Sequence, residues 1–400
     1  MIWRNSLKVS LFLILCCCIQ LSACSTKDLV EKPKKWLGIS DDDNPRKPTK
    51  LTKIDTENVK GQSVWKNSAG KVEKAYNEIR PYITEERVYL TSAEGNVEAW
   101  QREGGQNVWS IALKEAVSGG VGGGDDIIVV GTLQGMVIGL AVADGVEQWR
   151  TPVSSEVISI SQASQDNVVV RTNDSQVHAL DMKTGEVVWV EGRSPPVLTL
   201  RGSSVPVIVE DKVLVGFDDG KLVAMDMRDG SELWKTSVSI PRGRSELERM
   251  ADIDGEFVYD DGTVYVVNFN GQVIAVDFRS GRAYWNKDLS SSEGLSVDEK
   301  HVYVTDEDDS VWALDKQNGA TIWRQDKLLF RQLTTPKIMG DYVVVGDYKG
   351  YLHWLSKAEG KLVGRMNLAK DAIKVAPVIV DERAYVLSNN GSFSVVRYRQ

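Results

Sequence analysis

The sequence predicts an all-β fold, an eight-bladed β-propeller of four-stranded antiparallel blades whose ring is closed by the N-terminal strand. Three observations carry this. Tryptophan recurs at a nearly constant interval, at Trp65, Trp109, Trp149, Trp189, Trp234, Trp285 and Trp323, with spacings of 44, 40, 40, 45, 51 and 38 residues. A short β-branched run precedes each repeat unit. One strand is left over at the N-terminal end, and the last unit at the C-terminal end lacks one. A fixed period near 40 residues holding four short strands is the arithmetic of a propeller blade.

The chain opens with a segment to be set aside before the fold is read. Arg4 and Lys8 precede an apolar run from Val9 to Ile19, and Leu21-Ser22-Ala23-Cys24 follows. The run is shorter than the roughly 20 residues that a spanning helix needs, so residues 1–23 read as a signal peptide. Residues 24–60 read as a flexible linker. Lys-Pro-Lys-Lys at 32–35 and Asp-Asp-Asp-Asn-Pro at 41–45 leave too little apolar surface to offset the entropy of ordering. Residues 61–400 are the expected propeller.

Within the propeller, four copies of one frame stand out. They are Ala179-Leu-Asp-Met-Lys-Thr-Gly-Glu-Val-Val-Trp189, Ala224-Met-Asp-Met-Arg-Asp-Gly-Ser-Glu-Leu-Trp234, Ala275-Val-Asp-Phe-Arg-Ser-Gly-Arg-Ala-Tyr-Trp285 and Ala313-Leu-Asp-Lys-Gln-Asn-Gly-Ala-Thr-Ile-Trp323. A strand ends at the Asp, the Gly supplies the positive φ of a tight hairpin, and the next strand carries the Trp. The segments ending at Trp149 and Trp109 are looser copies, and in the copy over 352–364 Gly364 stands where Trp is expected. Upstream lie the β-branched runs, eight in all, from Val88–Leu90 to Ala384–Leu387. The last run is followed by no Gly-x-x-x-Trp strand, whereas Gln62–Lys66, with Trp65, has no unit of its own. Pairing these ends closes the ring and removes the open edges. The seven tryptophans are expected to be structural, each facing a small Ala or Gly across adjacent blades.

Composition excludes some functions. Loss of residues 1–23 takes the formal charge from −8 to −10, and no basic stripe with interleaved aromatics is present, which argues against nucleic acid. Cys16, Cys17 and Cys18 lie in the leader, so Cys24 is the one cysteine beyond it and no disulfide is expected.

Three resemblances add to this reading. Leu21–Cys24 resembles the bacterial lipoprotein cleavage box, which implies cleavage before Cys24 and its lipidation, including the palmitate such anchors carry. Ser25 after the cysteine implies sorting to the outer membrane, with the protein on its periplasmic face. The Trp frame resembles the repeat of pyrroloquinoline quinone (PQQ) propellers over nearly all of 62–400. Two families with that frame compete, the quinoprotein dehydrogenases and the BamB family, lipoproteins of the outer-membrane β-barrel assembly (BAM) machinery. Leu198-Thr-Leu-Arg-Gly-Ser-Ser-Val-Pro206 and Ser245-Glu-Leu-Glu-Arg-Met-Ala-Asp-Ile-Asp254 are similar to two segments of the second family. The resemblance implies a non-catalytic scaffold, monomeric within the complex. It would bind the periplasmic POTRA domains of BamA alongside the other assembly-complex members, and assist insertion of β-barrel proteins.

In that family the two segments are associated with BamA, and the roles fall on Leu198, Leu200, Arg201, Asp252 and Asp254. Side chains two apart on an extended chain point the same way, so each pair shares a face. The residues alone allow another reading, in which the leucines are core and Arg201 pairs with Asp252 or Asp254. Direct contact with nascent barrel strands is also open, and nothing in the sequence selects it.

No catalytic residue, metal site or cofactor is expected. His178, His301 and His353 fall in different repeats, the acidic turn at 306–309 lacks the spacing of a calcium loop, and no nucleophile, zinc or phosphate motif occurs. A ligand-binding or sensor propeller is the alternative. It predicts aromatics converging on one face, with Trp100, Trp312 and Trp354 the residues outside the frame that would supply them.

Overall fold

Each repeat forms a sheet because its central runs suit burial on both faces. Blade 4 shows the pattern, with β14 (Val207–Val209), β15 (Lys212–Gly216), β16 (Lys221–Asp226) and β17 (Glu232–Ser237) hydrogen-bonded in that order. The two middle strands lie between neighbouring blades, so Val213, Leu214, Val215, Leu222, Val223 and Ala224 are all buried and read as unbroken apolar runs. The fourth strand is outermost, and there Trp234 is buried while its neighbours are exposed. The Asp of the frame ends the third strand by capping the turn that follows. In blade 3 the Asp181 carboxylate accepts the N–H groups of Lys183 at 2.9 Å and Thr184 at 2.8 Å. Gly185, at φ 72°, then donates its N–H to the Asp181 carbonyl at 2.9 Å.

The computed structural model describes residues 46–54, 58–70, 72, 79–164, 166–196, 198, 204–238 and 251–399. These form eight four-stranded sheets arranged as the expected propeller. Cys24, Leu200 and Arg201 lie outside the described residues. Blade 1 comprises β2 (Tyr82–Ile83), β3 (Arg87–Thr91), β4 (Asn96–Gln101) and β5 (Asn107–Ala112). Blade 8 takes β30 (Val378–Val380), β31 (Arg383–Leu387) and β32 (Ser392–Arg399) from one end of the chain and β1 (Lys60–Ser68) from the other. β1 pairs antiparallel with β32 from Lys60↔Arg399 to Ser68↔Ser392, with a bulge between Ser63 and Trp65.

The tryptophans join the blades, by a geometry that corrects one expectation. The small residue of the frame is not the partner across the seam. Ala179 sits opposite Trp189 within one blade, as do Ala224 and Trp234. Across the seam each indole meets the turn of the next blade. Trp189 donates its Nε1–H to the Met227 carbonyl at 2.8 Å, and Trp149 to that of Met182 at 2.8 Å. The ring lies over the turn glycine, so a Cβ on Gly185 would come within 2.5 Å of the Trp149 ring. The same bond runs from Trp65, Trp109, Trp234, Trp285 and Trp323 to Arg102, Val142, Phe278, Lys316 and Lys357. Trp65 thus spans the closing seam from blade 8 to blade 1.

The one missing tryptophan has a topological cause. Blade 8 receives its fourth strand from β1, so it has no turn between its third and fourth strands to seat an indole. In the strand before it, β29 (Leu362–Asn367), the frame position is Gly364, and Val59 fills the space that a side chain there would take. The N–H groups of Asn58 and Val59 both donate to the Val363 carbonyl, at 3.0 and 3.1 Å.

The last part of the expected linker is also fixed. Thr49 donates its N–H to Leu329 at 3.0 Å, Arg331 donates to the Thr49 carbonyl at 2.9 Å, and Arg365 to that of Thr52 at 3.2 Å. Leu51 packs against the cluster that holds Trp323 and Leu328. These bonds use backbone carbonyls, which a reading of side-chain composition does not register.

Candidate partner-binding face

Two kinds of loop share one face of the ring: those joining the fourth strand of a blade to the next blade, and the turns between second and third strands. The segments singled out in the sequence are both of the first kind. Residues 193–206 join blade 3 to blade 4, and residues 238–257 join blade 4 to blade 5. Between them lies a turn of the second kind, Phe217–Gly220 of blade 4.

The loops are organised by Arg171, at the end of β11 (Asn167–Thr172) in blade 3. Its side chain is fully buried. The guanidinium pairs with the Asp218 carboxylate, reaches Ser204 Oγ at 3.4 Å and lies 5.6 Å from the Phe217 ring centre. Ser175 Oγ donates to the other Asp218 oxygen at 2.9 Å. Asp252 and Asp254 bring carboxylate oxygens within 4.8 Å of one another and of Asp218. A buried cation beside clustered carboxylates offsets a charge that would otherwise repel itself.

Hydrogen bonds hold the described end of the second loop, Ala251 to Ile253, against blades 4 and 5. Ile253 donates its N–H to the Phe217 carbonyl at 3.3 Å, the Asp252 carbonyl accepts from Phe269 at 3.1 Å, and Asn268 Nδ2 donates to the Ala251 carbonyl at 3.1 Å. Ile253 is fully buried over Gly216, where a Cβ would meet its side chain at 2.5 Å.

The expected contact residues therefore separate. Leu198 is 48% exposed. Asp252 and Asp254 share a face as their spacing predicts, but that face is turned inward, and the two are 0% and 9% exposed. Among the described residues these three carboxylates are the acidic set with the geometry to take a cation, and Arg171 supplies positive charge on the Asp218 side. Sequence reasoning missed both Arg171 and Asp218. One signal was present. By register, the place of Arg171 is taken in other blades by Thr91, Gly131, Gly216, Val267, Thr305, Gly346 and Leu387, so Arg171 is the one charge in the set.

The other candidate groups stay apart. His178 contacts Ser154 Oγ at 3.2 Å and His353 contacts Asp347 at 2.9 Å, and burial lowers the pKa of each ring. His301 meets Tyr303 at 3.2 Å. Trp100 and Trp354 are buried, and Trp312 is covered by Arg324, 4.9 Å from its ring centre. These three do not form an aromatic surface. The first strands line a central channel of about 750 Å³, walled in part by Gly119, Gly120 and Gly122.

Comparison with known proteins agrees with this architecture. Residues 93–325 match the family model described as outer membrane protein assembly factor BamB. The BamB of Xanthomonas campestris is 37% identical over 395 residues, covering 96% of each chain. The crystal structure of BamB from Moraxella catarrhalis superposes with a TM-score of 0.75 at 27% identity, over 83% of this chain and all of that one. Quinohemoprotein alcohol dehydrogenase from Comamonas testosteroni superposes at 0.67 with 13% identity, over 85% of this chain and 76% of that one, a likeness of fold alone. With a matching family model over more than half its length and a relative of this identity along nearly all of it, the chain belongs to the outer membrane protein assembly factor BamB family.

Proposed function

We propose that this chain is a non-catalytic scaffold of outer-membrane protein assembly, held to the periplasmic face of the outer membrane by lipid on Cys24. Its loop face over blades 3 to 5 docks the POTRA domains of BamA. The observation that carries this is the division of labour between the two loops. Asp252 and Asp254 are held by buried contacts beside Arg171 and Asp218, while Leu198, in the connection from blade 3 to blade 4, is left exposed. A rigid base beneath an exposed apolar residue lowers the ordering cost of association. Asp252 and Asp254 in this reading shape the face rather than touch the partner.

Capture of purified BamA POTRA domains tests it. Leu198→Ala, Leu200→Ala and Arg201→Ala are each expected to lower affinity by about 1 kcal/mol or more if they are contact residues. Asp254→Asn is expected to act through loop order, lowering affinity and thermal stability together. Undiminished capture by all four folded variants would sink the assignment.

A further inference from the structure

Residues 49–54 belong to no sheet, yet the ring holds them. Thr49 reaches the loop that joins blade 6 to blade 7. It donates its Oγ1–H to the Lys327 carbonyl at 3.0 Å and its N–H to that of Leu329 at 3.0 Å. Two arginines supply the rest of the polar hold. Arg331, of the same loop, donates to the Thr49 carbonyl at 2.9 Å, and Arg365, of β29, donates to the Thr52 carbonyl at 3.2 Å.

Behind both arginines lies one buried pair, Asp347 and His353. Arg331 donates Nε–H at 2.9 Å and Nη2–H at 2.6 Å to Asp347 Oδ2, and His353 Nε2 lies 2.9 Å from the same oxygen. Asp347 Oδ1 accepts the N–H groups of Lys349 at 2.8 Å and Tyr351 at 3.0 Å. Arg365 Nε lies 3.4 Å from His353 Nδ1. A guanidinium only donates and a carboxylate only accepts, so the ring carries its proton on Nε2 and offers the Nδ1 lone pair to Arg365. The charges facing the ring are thus Asp347 from its turn, Arg331 from the loop and Arg365 from β29. Tyr351, on the same strand β28 (Tyr351–Ser356), has its ring centre 6.0 Å away, and the Lys349 ammonium lies 5.1 Å from the Tyr348 ring centre. His178 holds the same place in blade 3, but opposite Val190 rather than an arginine.

We propose that Thr49 to Thr52 form a strap that neutral His353 keeps latched and that a proton on His353 Nδ1 releases. A proton there meets the Arg365 Nε–H, donor against donor, and leaves three cations around one carboxylate. Arg365 then swings out to water and gives up the Thr52 carbonyl. Arg331, now sharing Asp347 with an imidazolium, holds Thr49 less firmly. In the closed state burial lowers the pKa of His353, and Arg365 and Arg331 lower it further against the pull of Asp347. In the open state the ring meets water and returns to the ordinary histidine value. The open state therefore binds the proton more tightly, so the latch is whole at neutral pH and weakens as pH falls through that ordinary value. On release the hold on the chain moves from Thr49 to Asn58, nine residues on, which adds about 30 Å of extended chain between Cys24 and the ring. That consequence for a lipid tether rests on the reading of Cys24. The latch itself uses none of the residues assigned to docking.

Lys50 and Lys53 are exposed on the strap, so trypsin reads its opening in the full-length protein. Cleavage tracks the open fraction when closing outpaces the protease. Rates at these two sites are measured at pH 7.5 and pH 5.5, each divided by the rate for a free peptide of residues 46–57. Protection of the wild type is expected to fall about tenfold between the two, because the ordinary histidine pKa lies between them. The blades are expected to stay uncut at both. His353→Gln, neutral throughout, is expected to lose the pH dependence, and His178→Gln to keep it. Arg365→Gln, at a half-buried position, is expected to keep the fold and to be cut in the strap faster than the wild type already at pH 7.5. Equal wild-type protection at both pH values, a full tenfold change in His353→Gln, or loss of the change in His178→Gln overturns the proposal. So does cleavage within blades 6 and 7 that rises in step with the strap. If His353→Gln does not fold, Arg365→Gln decides, and its cleavage at the wild-type rate at pH 7.5 overturns the proposal as well.

Discussion

At the residue scale, buried charge gives this propeller its sharpest responses. Asp309, in the turn between the second and third strands of blade 6, accepts the N–H groups of Gln332 and Leu333, each at 2.7 Å. Burial pushes its carboxyl up to about 6, against the opposing pull of those two bonds, and Asp306 adds to the rise. The folded pKa lies above the unfolded one, so the native state holds the proton more tightly. This group's contribution to stability falls as pH rises from about 4 to about 6 and is level above that, an effect of at most about 3 kcal/mol. Asp309→Asn is expected to flatten that slope, as measured by urea unfolding at intervals from pH 4 to pH 7. Arg171→Met is expected to act in the opposite place. It leaves Asp218 with the Ser175 hydroxyl and no guanidinium, a loss of about 3–5 kcal/mol for a broken buried pair. Urea unfolding at pH 7 against the wild type measures that loss. A deficit below about 1 kcal/mol would contradict a buried pair.

At the element scale, the unit is a fourth strand and the turn of the following blade. Trp149 and Gly185 make one such contact, in which the ring sits over a glycine in the left-handed region. Trp149→Ala removes a buried ring and is expected to cost about 3–5 kcal/mol. Gly185→Ala places a methyl group where the ring lies and is also expected to destabilise, through both φ and the clash. Because the two residues touch, their combined loss is expected to be smaller than the two losses added, by at least about 0.5 kcal/mol in a double-mutant cycle. This scale is also where the sequence was most legible. The Asp and Gly of the frame could be read because a tight turn demands them locally, and the strands because β-branched runs alternate with turns. The seat of each indole could not be read, since it lies in the next blade and depends on how blades pack. The same limit hid the site. Asp218 and Asp252 are 34 positions apart and meet only when blades 3, 4 and 5 come together. Leu198 was singled out through family resemblance and lies exposed, but the inward turn of Asp252 and Asp254 was not readable.

At the scale of the whole molecule, the ring has eight seams, and the pair flanking blade 8 depends on residues 58–68. Asn58 and Val59 hold this segment to β29, Lys60 to Ser68 complete the sheet of β30 to β32, and Trp65 bonds forward to Arg102. Trp65 packs in one cluster with Trp100, Tyr385 and Phe393, so blades 8 and 1 share a core that this strand brings together. A chain lacking residues 58–68 would leave β32 as an unpaired edge and Gly364 facing an empty space, with no other segment among the described residues positioned to take either role. It is expected to melt at a lower temperature than the full chain and to exchange its amides fastest in β30 to β32 and in blade 1. The blades across the ring keep their own indole seats and are expected to stay protected longer. Adding a peptide of residues 58–68 in excess is expected to raise the melting temperature in proportion to the logarithm of its concentration, as for any ligand that binds the native state alone. If Trp65→Ala in that peptide restores stability as well as the natural sequence does, then strand pairing alone closes the ring and the indole seat does not contribute.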